Sequence, residues 1–294
     1  MGTVVMTGGT SGLGAVAAQR ILGENLRLLL GARSSDRLAE QTLPLDLRKL
    51  DQVRIFAAEV ERALGNSTID ALILNAGGYA RGRTPEGYEM TFVLNHLAHY
   101  LLVRLLWERV SPGGTVLLTT SGTHDPAERT VIPPPRHANA LWLAKPEIDP
   151  HLDQSPRAAA ARAYASSKLC VILTARALAA RADARARGIG VVAYDPGPTP
   201  GTGLVRDQGA LVRFAWGPLA APLRLILRKS NTIEDAGRTL SELALAKTRP
   251  PDGRVYAALR RGQLTWPEPS ELARRDDLMV SVWNDSAELV GLSA

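Results

Sequence analysis

Short, almost wholly apolar runs recur along this chain, separated by stretches with helical periodicity, and no other feature limits the fold so strongly. The runs are TVVMT (Thr3–Thr7), LRLLLGA (Leu26–Ala32), LPLD (Leu43–Asp46), IDALILNAGG (Ile69–Gly78), GTVLLTTS (Gly114–Ser121) and IGVVAYDPG (Ile189–Gly197). A strand that is apolar on both faces needs cover on both faces, and strands that alternate with helices pair in parallel. The helical segments are AVAAQRIL after the first run, Leu47–Leu64, Thr84–Val110 with Pro85 near its start, the run that follows Tyr164, and Leu272–Val290. The expectation is an α/β fold, a doubly wound parallel sheet with helices on both faces. At 294 residues with no internal repeat and no dividing linker, it is expected to be a single domain over residues 1–294.

Two segments interrupt the alternation. Residues 122–163 are long and rich in Pro and Ala, with Pro133-Pro134-Pro135 at the middle, and a loop of this length is usually functional or disordered. Residues 204–229 include LVRFAWGPLAAPLRLILRK, apolar and broken by Pro218 and Pro222. Because this segment follows a strand end, it is read as a substrate lid rather than a membrane-surface segment.

The first run leads into TGGTSGLG and then a helix, which puts Gly8, Gly12 and Gly14 in a strand–turn–helix. Glycines there let the backbone turn tightly and approach a pyrophosphate seated on the helix N-terminus, the arrangement of a Rossmann-type dinucleotide site. Thr10 and Ser11 add hydroxyls, and Leu13 lies in the same turn. An acid about twenty residues on would bind the ribose of NAD. Here the second run ends in Arg33, a guanidinium suited to a 2′-phosphate, so NADP(H) is the expected cofactor. Asp36 is the rival but reads as a helix cap. Asp46, with Leu47 beside it, is placed at the adenine.

Tyr164 and Lys168 stand four apart in YASSK, at the head of an apolar helical run, so both project to one side. A cation near a phenol favours the phenolate and lowers its pKa, which suits proton transfer near neutral pH.

Taken together, TGGTSGLG, NAGG (Asn75–Gly78), NHLAHY (Asn95–Tyr100), TTSG with Ser121, YASSK and DPG (Asp195–Gly197) resemble the short-chain dehydrogenase/reductase family, in its order and over nearly the whole chain. NHLAHYLL, YASSKLC, PGPTPGTGL and VWNDSAELVGL are most similar to its branch of protochlorophyllide reductases and retinol-dehydrogenase-like enzymes. The resemblance implies that Tyr164 is the general acid/base and that Lys168 lowers its pKa and holds the nicotinamide ribose. It implies that Ser121 binds the reacting oxygen and Asn95 supports a proton relay behind Lys168. Asn75, Ala76 and Gly77 would line the cofactor, and Pro196, Gly197, Thr199 and Thr202 would meet its nicotinamide end. Two departures stand out. Pro198 occupies the place where protochlorophyllide reductases carry a cysteine, which favours ordinary hydride transfer over photoreduction. Ser121 and Tyr164 are also unusually far apart, so the segment between them loops out to shape the substrate pocket or an oligomer contact.

Composition excludes several other roles. The net charge of +6 comes mostly from scattered arginines without a basic block, which argues against nucleic acid and for an anionic ligand. No apolar run reaches a membrane span, and no signal peptide is evident at the start. The single cysteine, Cys170, fits a reducing, cytoplasmic setting. His96 and His99 sit three apart but read as packing or hydrogen-bonding residues, and no metal is expected. The leading expectation is an NADP-dependent oxidoreductase acting on a small carbonyl or alcohol, with homo-oligomerisation open. The alternatives are a reductase of an activated C=C bond and a non-catalytic NADP-binding sensor or scaffold.

Overall fold

The computed structural model describes residues 1–33, 41–201 and 230–293. The substrate lid expected at 204–229, Asp36 and Thr202 lie outside them. The apolar runs form β1 (Thr3–Thr7), β2 (Arg27–Ala32), β3 (Gln41–Pro44), β4 (Ile69–Leu74), β5 (Val110–Thr119) and β6 (Gly190–Asp195). They join β7 (Tyr256–Arg260) and β8 (Gln263–Thr265) in an eight-stranded sheet of order β3-β2-β1-β4-β5-β6-β7-β8. All pairings are parallel except the β7–β8 hairpin. The chain runs outward from β1 to β3 and then returns to place β4 on the other side of β1. Ligands bind at such a reversal, outside the carboxyl ends of the strands.

Alternate residues of each strand supply two cores. Val5, Leu29, Leu72, Val116 and Val191 face α2 (Leu50–Leu64), α4 (Ala98–Leu106) and α6 (Pro156–Ala180). Val4, Met6, Leu28, Leu30, Ile73 and Val192 face α1 (Gly12–Leu22) and the helix Ile233–Ala244. The last two helices approach closely because Gly237 has no side chain: a Cβ there would lie 2.5 Å from that of Val16. Covering both faces fixes the doubly wound arrangement expected from the apolar runs.

Three boundaries differ from the sequence reading for local reasons. The long helix starts at α3 (Met90–Phe92) rather than Thr84, because the Glu89 carboxylate caps the Phe92 amide at 2.6 Å. Thr84–Tyr88 forms a turn with Gly87 at φ +82. A π turn, Val93–Leu97, then joins α3 to α4. The segment 122–163 is only partly loop. It carries α5 (Ala140–Ala144), and α6 begins inside it at Pro156, a residue favoured in a first helical turn. The carboxy-terminal helix breaks at the extended Arg275 into Glu271–Arg274 and Asp276–Leu289.

The terminal helix Asp276–Leu289 lies across α4 and α6. Tyr100 Oη donates to the Trp283 carbonyl at 2.9 Å, and the His96 imidazole meets Ser286 Oγ at 2.8 Å. Among the described residues, no helix is long and apolar enough to cross a membrane.

Candidate active site

The strands in the middle of the sheet end where their last residues can turn into one cleft. The carboxyl ends of β1, β2, β4, β5 and β6 open onto a cavity of about 630 Å³. The glycine turn after β1 is shaped by close approach. Gly8 (φ +70) faces Ala76, whose Cα would be 2.6 Å from an added Cβ. A Cβ at Gly14 would come within 1.9 Å of the Gly8 carbonyl oxygen. The first turn of α1 therefore opens directly onto the cavity, with Thr10, Ser11, Gly12 and Leu13 on its wall. Its unpaired amides form an anion-binding end. Asn75 ties this turn to the next strands. Its amide nitrogen donates to the Gly8 carbonyl at 2.9 Å, and its oxygen accepts from Thr119 at 3.0 Å.

At the outer end of the cleft, Arg33, Asp46 and Leu47 line the wall, with Arg33 exposed. Arg48 lines it too, a residue the sequence reading missed, and grips the Asp46 carboxylate through Nη2 at 2.7 Å and Nε at 2.9 Å. That hydrogen bond leads in holding the Asp46 carboxyl below its ordinary range, with Arg33 contributing.

The inner end gathers Ser121, Tyr164, Lys168, Pro196, Gly197 and Thr199. Tyr164 and Lys168 are both buried on α6, with Lys168 Nζ 5.9 Å from the Tyr164 ring centroid. Lys168 Nζ donates to the Thr119 carbonyl at 2.9 Å, and Thr120 Oγ1 donates to the Lys168 carbonyl at 2.7 Å, so α6 is pinned to β5. Burial brings the Lys168 ammonium down to about 8, opposed by Asp195. Against the expectation of a lowered phenol, burial pushes Tyr164 well above its ordinary value, with a Ser121 hydrogen bond opposing it. The aromatic ring of Tyr79 stacks on Tyr164 at 4.5 Å and 19°.

Asn95 does not line the cavity; it is buried one layer behind. An added Cβ on Gly77 would lie 2.9 Å from Asn95 Oδ1 and 3.1 Å from Lys168 Nζ, so both groups face the same glycine.

Side chains distant in sequence brace this end. Asp195, almost fully buried, pairs with Arg260 Nη2 at 2.6 Å, and accepts from Tyr256 Oη at 3.0 Å and the Gly197 amide at 2.9 Å. The same Arg260 nitrogen reaches Glu128 at 3.0 Å. His124 accepts from the Ser270 amide at Nε2, 3.2 Å away, so its Nδ1 proton points to the Ser121 carbonyl at 2.8 Å. Burial holds that imidazole below its usual pKa. Residues 129–132 of the long segment also reach the cavity, and Val131 is exposed. Sequence reasoning missed Tyr79, Glu128 and Arg260; the Tyr that directly follows NAGG was a usable signal, whereas the other two carry none. Among the described residues, no cluster of His, Cys, Asp and Glu is arranged to hold a metal.

A cleft with a glycine turn at one end, and Ser121 with the buried Tyr164 and Lys168 at the other, defines a nucleotide-dependent oxidoreductase class. The short chain dehydrogenase family profile matches residues 2–128. A candidate daunorubicin C-13 ketoreductase, DnrU, of Streptomyces sp. (strain C5) is 30% identical over 79% of this chain and 76% of its own. Protochlorophyllide reductase A of Triticum aestivum, a chloroplastic protein, is 28% identical over 99% of this chain and 81% of its own. A short chain dehydrogenase from Burkholderia cenocepacia J2315, solved in complex with NADP, superimposes with a TM-score of 0.62 at 21% identity, covering 88% of this chain and 97% of the other. The chain belongs to the short-chain dehydrogenase family of oxidoreductases, on the branch that includes protochlorophyllide reductases.

Proposed function

We propose that this protein is an NADP-dependent oxidoreductase that interconverts a carbonyl and an alcohol, with Tyr164 as the general acid/base. One observation carries the reading: Tyr164, Ser121 and Lys168 meet at the inner end of a cleft whose outer end presents a glycine turn and two arginines. The residues fit the cofactor, since the turn through Gly8 and Gly14 packs too closely on its own neighbours for any Cβ and so brings the first turn of α1 onto the cavity wall. Gly12, Leu13 and Thr10 would receive the pyrophosphate, and Arg33 the 2′-phosphate. Asn75, Ala76, Pro196, Gly197 and Thr199 would line the rest. The NADP complex of the Burkholderia relative supports the choice of cofactor.

When bound, NADPH supplies the hydride. Ser121 holds the substrate oxygen, where negative charge grows as the carbon is reduced. Tyr164 gives that oxygen its proton. A phenol pushed up by burial is fully protonated at pH 7, the form an acid catalyst of reduction requires. The Lys168 ammonium, facing Gly77, would hold the ribose and offset the phenolate that remains.

The test is NADPH and NADH oxidation with a panel of aldehydes, ketones and enones. We expect ketone or aldehyde reduction that prefers NADPH. Tyr164→Phe should lower turnover by about 10²–10⁴-fold while NADPH still binds. Activity confined to enones and indifferent to this substitution would replace the carbonyl reading with C=C reduction. Cofactor binding without any turnover would support the sensor.

A further inference from the structure

His99, the second of the two buried histidines of NHLAHY, is tied to both halves of the site. Thr7, the last residue of β1, accepts at Oγ1 from the Asn75 amide at 3.1 Å and the Ala76 amide at 3.2 Å. A hydroxyl has two acceptor positions and one proton. With both positions filled, the proton goes to its third neighbour, His99 Nε2, at 3.1 Å. Nε2 is then the acceptor, so the neutral imidazole carries its proton on Nδ1. That nitrogen lies 3.3 Å from the Asn95 carbonyl oxygen. Burial, with the Lys168 ammonium, brings the imidazole down to about 3, so it is neutral at ordinary pH.

Asn95 carries the connection onward. Its side chain accepts from the Gly78 amide at 2.8 Å and donates to the Gly78 carbonyl at 3.0 Å and to Ser167 Oγ at 3.0 Å. Ser167 Oγ donates to the Tyr164 carbonyl at 2.7 Å. Asn95 also sits in the π turn, where the Ala98 amide reaches Val93 instead of the residue four back. Such turns disturb the regular ladder and recur at functional sites. The imidazole gives a carbonyl inside that turn a fixed donor.

We propose that His99 is a positioning residue of this oxidoreductase site. As a neutral, Nδ1-protonated imidazole it fixes Asn95 against the end of β1, and through Asn95 it sets the Gly78 turn and the Tyr164–Lys168 stretch of α6. The inference rests on the functional reading above, but its first test does not. In the protein alone, the ¹⁵N imidazole spectrum of His99 should show one tautomer, protonated on Nδ1. A spectrum showing the Nε2 tautomer or a mixture overturns the proposal, whatever the protein's activity.

Two variants then separate the two links. His99→Asn places an amide near the Nδ1 position and keeps the bond to Asn95. His99→Gln places its amide near Nε2, keeping Thr7 and losing Asn95. His99→Asn should retain kcat within about threefold, because one buried pairing of ordinary strength is preserved where it matters. His99→Gln should lower kcat about tenfold or more at nearly constant KM for the carbonyl, and speed exchange of the Gly78 amide. Equal losses in both variants, or KM and kcat moving together, would make His99 a packing residue only. A parent protein that turns over no substrate sinks the functional reading instead, and the spectrum and Gly78 exchange then decide the role of His99.

Discussion

The two ends of the cleft are built in opposite ways. The turn after β1 is made of backbone and of missing side chains: Gly8, Gly12 and Gly14 are separated by a few residues, and the helix that follows supplies the donors. The inner end is made of side chains that come from far apart. Asp195 and Arg260 are 65 residues apart, Glu128 and Arg260 132, and His124 and Ser270 146. The family profile covers residues 2–128, which hold the glycine turn together with Ser121, His124 and Glu128 of the inner end, and stops before Tyr164. On the proposed reading the glycine-turn end answers to something every dinucleotide shares, and backbone suffices for that. The inner end has to hold a few polar groups in one geometry against burial, and that takes a braced network.

The largest effect comes from the network that braces the inner end. Asp195→Ala leaves the Arg260 guanidinium with one carboxylate, and the Tyr256 hydroxyl and Gly197 amide with none. Breaking a buried pair from one side costs about 3–5 kcal/mol. Urea unfolding should show a loss of that size, and Asp195→Asn, whose single amide oxygen can still accept from the Gly197 amide, a smaller one. A loss under about 1 kcal/mol would mean the inner end is not braced this way and behaves like a surface pair.

Legibility followed the same division. The glycines, Arg33, Asp46, Tyr164 and Lys168 could be placed on the cleft from sequence because each placement depends on neighbours within a turn or two. The strands could be read because burial on both faces leaves uninterrupted apolar runs. Glu128 and Arg260 could not, since a lone acid and a lone arginine in sequence look like solvated surface until the sheet brings them together. The direction of the Tyr164 shift was misjudged for a related reason: spacing shows that a lysine is near, whereas burial depends on everything packed around the phenol. Helix starts were missed where a side-chain cap, Glu89, or a proline, Pro156, set them.

A second test uses the imidazoles behind the inner end. His96 and His99 are both held down at about 3 by burial, below the ordinary value of 6.5. The unfolded chain therefore binds more protons between those values. The stability these neutral rings contribute is full above about 6.5 and is lost as pH falls toward 3. At pH 5 each should have cost about 2 kcal/mol relative to pH 7, at about 1.36 kcal/mol per unit. Denaturant curves at the two pH values should show the fall, and His96→Gln should reduce it. Equal stability at both would show that water reaches these rings.

The glycine turn should respond to added atoms and not to lost ones. Gly14→Ala pushes a methyl into the Gly8 carbonyl oxygen, and overpacking of this kind costs about 1–3 kcal/mol. NADPH titration should show weakened binding, because relief requires moving α1 away from the turn that shapes the phosphate seat. Parental affinity in this variant would remove the contrast between a backbone-built end and a side-chain-built one.

The smallest effect belongs to Arg33, where the two modes of construction meet. It is a side chain at the backbone-built end, and it is exposed, so salt screens whatever it contributes. The neighbouring Asp46 would repel a 2′-phosphate, but its carboxylate is held by the Arg48 guanidinium. On the proposed reading this leaves the Arg33 charge to set the preference. Charge-assisted hydrogen bonds contribute about 1.5–3 kcal/mol, and exposure puts this one at the low end, about tenfold in affinity. Arg33→Ala should weaken NADPH by about that factor and leave NADH unchanged, with the gap widening at low salt and closing at high salt. Arg48→Ala should also weaken NADPH, though it removes no group assigned to the phosphate, because it releases the Asp46 charge beside it. If NADPH and NADH bind the parent equally, or the preference ignores salt, specificity at this end is set by shape alone.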